Sequence, residues 1–124
     1  MKIDQIMVAA VNEMISVYGT GAEVARPEII AILHNKYGVA IGSIIPSDYC
    51  YNIVNIGIDL AKKPMLFEWS EGGKYRCLGE NYNYNGPITH KGENVGVCIN
   101  GERYIKARFI ETFCPNESKR NTCK

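Results

Sequence analysis

The chain has 124 residues with 46% hydrophobic and 22% charged content, which suits a single domain with its own core and excludes wholesale disorder. The formal net charge is +1, so no global basic field points to nucleic acid, although local charge can still do so. No apolar run is long enough to span a bilayer, and Asp4, Asn12 and Glu13 break the start of the chain where a leader would need continuous apolar residues. A cytoplasmic protein is the expectation, with its five cysteines as reduced thiols.

Ile3, Ile6, Met7, Ala10, Val11, Met14, Ile15 and Tyr18 recur at three- and four-residue steps, which predicts an amphipathic helix ended by Gly19 and Gly21. Glu23–Arg26 reads as a short extended link. Pro27 then opens a second helix that runs to Tyr37, turns Ile29, Ile32 and Leu33 inward, and stops at Gly38. His34 and Lys36 fall on its outer side. Val39–Ile45 carries Gly42 and Ser43 and reads as a connector.

A third helix is expected from Ser47 to Gly57. Ser47 follows Pro46 as an N-cap, Asp48 complements the positive end of the dipole, and Gly57 supplies the stop. On helical spacing Asp48, Tyr51, Asn52 and Asn55 share a polar face, with Cys50, Ile53, Val54 and Ile56 behind it. Leu66–Ser70 and Lys74–Leu78 then flank Glu71-Gly72-Gly73, a hairpin signal.

The segments PSDYCYN, with a glycine following, and LFEWSEGGKYRCLG resemble winged helix-turn-helix modules found alone or fused to nuclease domains in bacterial and phage restriction-type proteins. The resemblance covers residues 1–79. It implies an α+β fold of three helices plus a β-hairpin wing, with extended pieces near Glu23 or Ser43 pairing with the hairpin, and it implies duplex DNA as partner. Tyr51, Asn52 and Asn55 would then read or stack on bases, and Lys62, Lys63, Lys74 and Arg76 would hold phosphates. Asp48, Asp59, Glu68 and Glu71 work against that reading unless they point away. The alternative is a protein-interaction module, such as a phage-encoded inhibitor, using a mixed aromatic surface. A homodimer through the first helix is open by analogy.

Residues 80–124 are expected to form a β-hairpin extension and a basic tail. Glu80–Pro87 alternates Asn with Tyr, which reads either as a tyrosine-rich loop lying on the wing or as a stacking platform for unpaired bases. Val95–Ile99 and Arg103–Phe109 flank Asn100-Gly101, a strong hairpin signal, with Tyr104, Lys106 and Arg108 on one face of the return strand. His90, Cys98, Cys114 and Cys123 could bind zinc by residue type, but no close cysteine pair appears. A Cys114–Cys123 disulfide would require an oxidising compartment. No catalytic constellation or cofactor motif is present, so neither an enzyme nor a bound cofactor or metal is expected.

Overall fold

The computed structural model describes residues 2–58, 60, 62–114 and 122–123, the last two by their backbone alone. Asp59, residues 115–121 and 124 of the loose tail expected from Thr112 to Lys124, and the Cys123 side chain named in the zinc and disulfide readings lie outside the described residues. The described part of that stretch is ordered, with Thr112 and Phe113 in a short helix and Thr122–Cys123 in a strand.

The first two helices form where the periodicity places them. Helix α1 spans Ile3–Tyr18 and buries Met7, Ala10, Val11 and Met14, which are related by steps of three and four residues along one face. It ends as the Gly19 N–H donates to the Ile15 carbonyl at 2.8 Å. Helix α2 spans Arg26–Tyr37 and buries Ile29 and Leu33. Pro27 sits in its first turn, where no N–H is missed, and Gly38 closes it in the left-handed conformation.

Between the helices, strand β1 (Glu23–Ala25) pairs with the hairpin of β2 (Phe67–Ser70) and β3 (Lys74–Cys77), giving an antiparallel sheet of order β1-β3-β2. The extended piece near Glu23 therefore pairs with the hairpin as expected. The second sheet has order β4-β5-β6-β7, from Gly86–His90, Glu93–Ile99, Glu102–Ile105 and Thr122–Cys123. The short helix α3, Ile110–Phe113, folds Ile110 and Phe113 back into its core.

The third helix does not form, and the fold is not a three-helix winged helix. Pro46–Tyr49 makes one 3-10 turn with Ile45, not Ser47, at its N-cap, Cys50 is extended, and Cys50 and Ile53 make isolated bridges to Phe67 and Thr89. The segment is a strap between the two sheets. On one side the Tyr51 N–H donates to the Phe67 carbonyl and the Leu66 N–H to the Tyr49 carbonyl, both at 2.8 Å. On the other side the Val54 N–H donates to the Thr89 carbonyl at 3.2 Å and the Thr89 N–H to the Asn52 carbonyl at 2.9 Å. Donors and acceptors that a helix would satisfy internally are spent on strands β2 and β4. β-branched Ile53 and Val54 favour that extended form.

The strap also divides the interior. Cys50 packs with Met7, Val11, Leu33 and Phe67 beneath the helices. Tyr51 and Val54 pack with Ile88, Val95, Ile105 and Phe113 under the second sheet. Where β5 and β6 meet, a side chain at Gly96 would come within 2.4 Å of the Tyr104 carbonyl oxygen, so only glycine fits.

A loop-built cleft as the candidate functional site

The residues expected on an outward reading face are committed elsewhere. Tyr51 is 1% exposed. Its hydroxyl donates to the Gly79 carbonyl at 2.6 Å and accepts the Tyr82 N–H at 3.1 Å. The Asn52 carboxamide clamps the Trp69 backbone, donating to its carbonyl and accepting its N–H, both at 2.8 Å. It thereby pairs the outer edge of β2 as another strand would. Asn55 donates to Ser47 Oγ at 2.9 Å and Asp48 Oδ1 at 2.8 Å. These three residues share no outward helical face.

The expected phosphate contacts are likewise dispersed. Lys63 donates to Asp4 Oδ1 at 3.0 Å and lies 5.2 Å from the centroid of the Tyr49 ring. Arg76 pairs with Glu68 at 2.5 Å, and the second Glu68 oxygen accepts the Tyr84 hydroxyl at 2.6 Å. Lys62 and Lys74 are exposed. Of the acids that opposed a phosphate site, Asp48 and Glu68 thus face protein partners and Glu71 lies exposed in the hairpin turn.

Asp4 is the hub of a small network that ties α1 to the strap and to the loop before β2. Burial pushes its carboxyl up, but the Tyr49 hydroxyl at 2.6 Å and the Lys63 ammonium outweigh this and hold it below the usual aspartate value. Burial pushes the Tyr51 and Tyr84 phenols up, so both stay protonated donors. Arg103 is the buried charged side chain among the described residues, 1% exposed, with Nη1 donating to the Leu60 carbonyl at 2.8 Å. Burial pulls its guanidinium down to about 10, still charged at neutral pH.

What these contacts build is a cleft of about 380 Å³ walled by three loops: Lys63–Met65, Glu80–Asn83 and Asn100–Glu102. Each wall is held from behind. Tyr51 anchors the 79–82 loop at both Gly79 and Tyr82, and its ring stacks on Tyr84 with centroids 5.4 Å apart. The Gly101 N–H donates to the Tyr84 carbonyl at 3.0 Å, and the Asn85 side chain accepts the Asn100 N–H at 3.0 Å. Asn81 and Asn100 both adopt positive φ, which asparagine tolerates better than most residues. Arg103, one step beyond Glu102, secures Leu60 ahead of the opposite wall. Asn81, Asn83 and Asn100 are exposed at the cleft, with Tyr82 39% exposed beside them.

Of the Asn/Tyr alternation, then, Tyr84 is a buried support and Tyr82 an exposed contact. The cleft-lining role of Asn81, Asn83 and Asn100 was missed; its signal was the unusual loop composition, but nothing local ties residue 82 to residue 101. His34 Nδ1 lies 2.9 Å from the Val39 carbonyl and His90 Nδ1 2.9 Å from the Val54 carbonyl. No cluster of His, Cys, Asp or Glu suited to a metal ion occurs among the described residues. Cys50, Cys77 and Cys98 are free and buried, and the Cys114–Cys123 reading turns on a side chain outside the described residues. No helix among the described residues is long and apolar enough to cross a membrane.

Fold and site together define a small, mostly β domain of two sheets joined by a strap, with a polar cleft whose loops are anchored by hydrogen bonds. The chain belongs to the family described as a domain of unknown function, DUF7225, whose model matches residues 2–105. It is similar to the uncharacterized protein YnaC of Bacillus subtilis, 42% identical over 93 residues, covering 70% of this chain and 35% of that protein. The chain thus spans about a third of that relative's length. No solved structure matches it.

Proposed function

We propose that this domain is a protein-recognition module that holds a partner segment in the cleft between Lys63–Met65, Glu80–Asn83 and Asn100–Glu102. The observation that carries the reading is a preformed, amide-rich cleft with an exposed tyrosine at its rim. Tyr and Asn dominate protein-binding loops because a phenol ring brings contact area at low entropic cost and a carboxamide both donates and accepts. Loops already held by Tyr51, Asn85 and the Gly101 amide lose little freedom on binding. The similarity to one part of a longer protein supports a modular role.

Duplex DNA is the weaker reading, because Asn52 and Asn55 spend their carboxamides internally and Lys63 and Arg76 are neutralised by Asp4 and Glu68. The test places a photo-crosslinking side chain at Asn83 in cells that produce the protein, with Lys91 at the far hairpin as control site. The expected result is a discrete protein adduct from position 83 that is absent from position 91 and lost on Tyr82→Ala. A mobility shift of random duplex DNA that strengthens as salt falls, with nucleic acid rather than protein crosslinked at position 83, would overturn the proposal.

A further inference from the structure

The cleft is one end of a longer depression. A second groove of about 500 Å³ opens over the start of α1, lined there by Gln5 and Val8, and it shares Lys63, Pro64 and Glu80 with the cleft. The two meet along one sill, and Glu80 stands on it. A segment lying in the cleft therefore has a path past Glu80 towards Val8.

Charge along this path is unevenly spent. Asp4 and Lys63 neutralise each other at 3.0 Å. Lys62 and Glu102 have interactions of their own. Glu80 is exposed and takes part in none of the ion pairs formed among the described residues. The sill thus carries an unmatched carboxylate. In the cleft beside it lie the exposed ring of Tyr82 and the exposed carboxamides of Asn81, Asn83 and Asn100.

Each of these groups has a counterpart in an extended peptide. A carboxamide both donates and accepts, which suits the amides of a peptide backbone. A carboxylate with two open oxygens takes the guanidinium fork of arginine bidentately, and a phenol ring accepts its planar face. Lysine brings a point charge without the planar fork. We infer that the partner segment is an extended stretch carrying an arginine that pairs with Glu80, its flanking backbone running from the cleft over the sill into the second groove. The inference rests on the reading of the cleft as a protein-recognition site and adds the chemistry of what is recognised there.

Titration of the isotope-labelled whole chain, followed by its backbone amide shifts, tests it. The probes are end-capped hexapeptides of glycine and serine, about 20 Å long when extended, with one central arginine or its neutral isostere citrulline. The arginine peptide is expected to shift the amides of Asn81, Asn83, Gly101, Gln5 and Val8. It is expected to bind about three- to tenfold more tightly than the citrulline peptide, by a margin that shrinks as salt is raised. Glu80→Gln is expected to erase that preference, and Glu80→Lys to reverse it in favour of a peptide with glutamate at the centre. Glu71→Gln, in the hairpin turn, is expected to leave it unchanged. Wild-type urea midpoints in all three variants show that the fold is intact. No binding by either peptide up to about 5 mM, equal binding of the two, or a preference that survives Glu80→Gln would each overturn the inference. If the crosslink at position 83 still captures a protein in that event, the recognition reading stands and only the arginine assignment falls; if the crosslink is absent too, both fall.

Discussion

Replacing Tyr51 by Phe isolates the hydroxyl on which the cleft depends. The ring stays, so its packing with Leu60, Ile88 and Tyr84 is preserved and no cavity opens beyond one oxygen. What is lost is one bond to the Gly79 carbonyl and one from the Tyr82 N–H. Gly79 is buried, so its carbonyl has no ready access to water. Each net bond contributes about 1 kcal/mol, and an orphaned buried acceptor brings the cost to the upper part of the range, so the expected loss is about 2 kcal/mol. With a urea m-value of about 1.5 kcal/mol per M for a chain of this size, the midpoint should fall by about 1.3 M at unchanged slope. Hydrogen exchange supplies the local reading: the Tyr82 amide should quicken by more than the global loss of stability explains. If the midpoint moves by less than about 0.3 M, equivalent to about 0.5 kcal/mol, the hydroxyl does not hold the cleft and the account of its rigidity fails.

Four other outcomes follow from the same geometry. Asn52→Ala removes both bonds to the Trp69 backbone and should cost about 2 kcal/mol in urea unfolding, whereas an Asn52 that merely faced solvent would cost almost nothing. Gly96→Ala forces a methyl to within 2.4 Å of the Tyr104 carbonyl oxygen, and the backbone shift it demands should cost more than about 2 kcal/mol; a wild-type melting temperature would contradict the close approach. Because the folded Asp4 carboxyl lies below its ordinary value of 3.8, its contribution to stability is complete above that pH and is lost as pH falls through the lower folded value. Asp4→Asn should therefore flatten the acid limb of the stability profile, leaving its shape above pH 5 alone. Burial pushes the Cys50 and Cys98 thiols up and the Cys77 thiol up to about 11, so a thiol reagent at pH 8 should label none of them in the folded chain and all three in urea. Rapid native labelling of any one would place it outside the core.

The local elements were legible because their causes are local. Apolar spacing in α1 and α2, glycine at the helix ends, and the Gly72-Gly73 and Asn100-Gly101 turns each act within a few residues, and the elements form about those signals. The exception is the return strand expected over Arg103–Phe109, which stops at Ile105. Ala107–Phe109 makes a 3-10 turn instead, so Tyr104, Lys106 and Arg108 do not share a strand face. The pairing of a short strand near Glu23 with the first hairpin could likewise be anticipated from length and order. The Asn/Tyr run at 80–85 announced a tyrosine-rich loop, though not which of its tyrosines would face outward.

Residues 46–57 show where such reasoning stops. Pro46-Ser47-Asp48 signals a helical start equally well for a long helix and for a single 3-10 turn. The choice was made by Phe67 and Thr89, whose carbonyls accept the Tyr51 and Val54 amides from opposite sides. Once Cys50 and Tyr51 are drawn into different cores, the polar spacing of Tyr51, Asn52 and Asn55 no longer describes a face at all. The amino-acid sequence alone determined where the chain turns and which short segments are amphipathic, since these depend on neighbours in the chain. Only the tertiary structure decided the strap, the buried Arg103 and the meeting of residues 63, 82 and 101 around one cleft. Each of those requires hydrogen bonds between groups tens of residues apart, whose existence depends on the whole chain having folded.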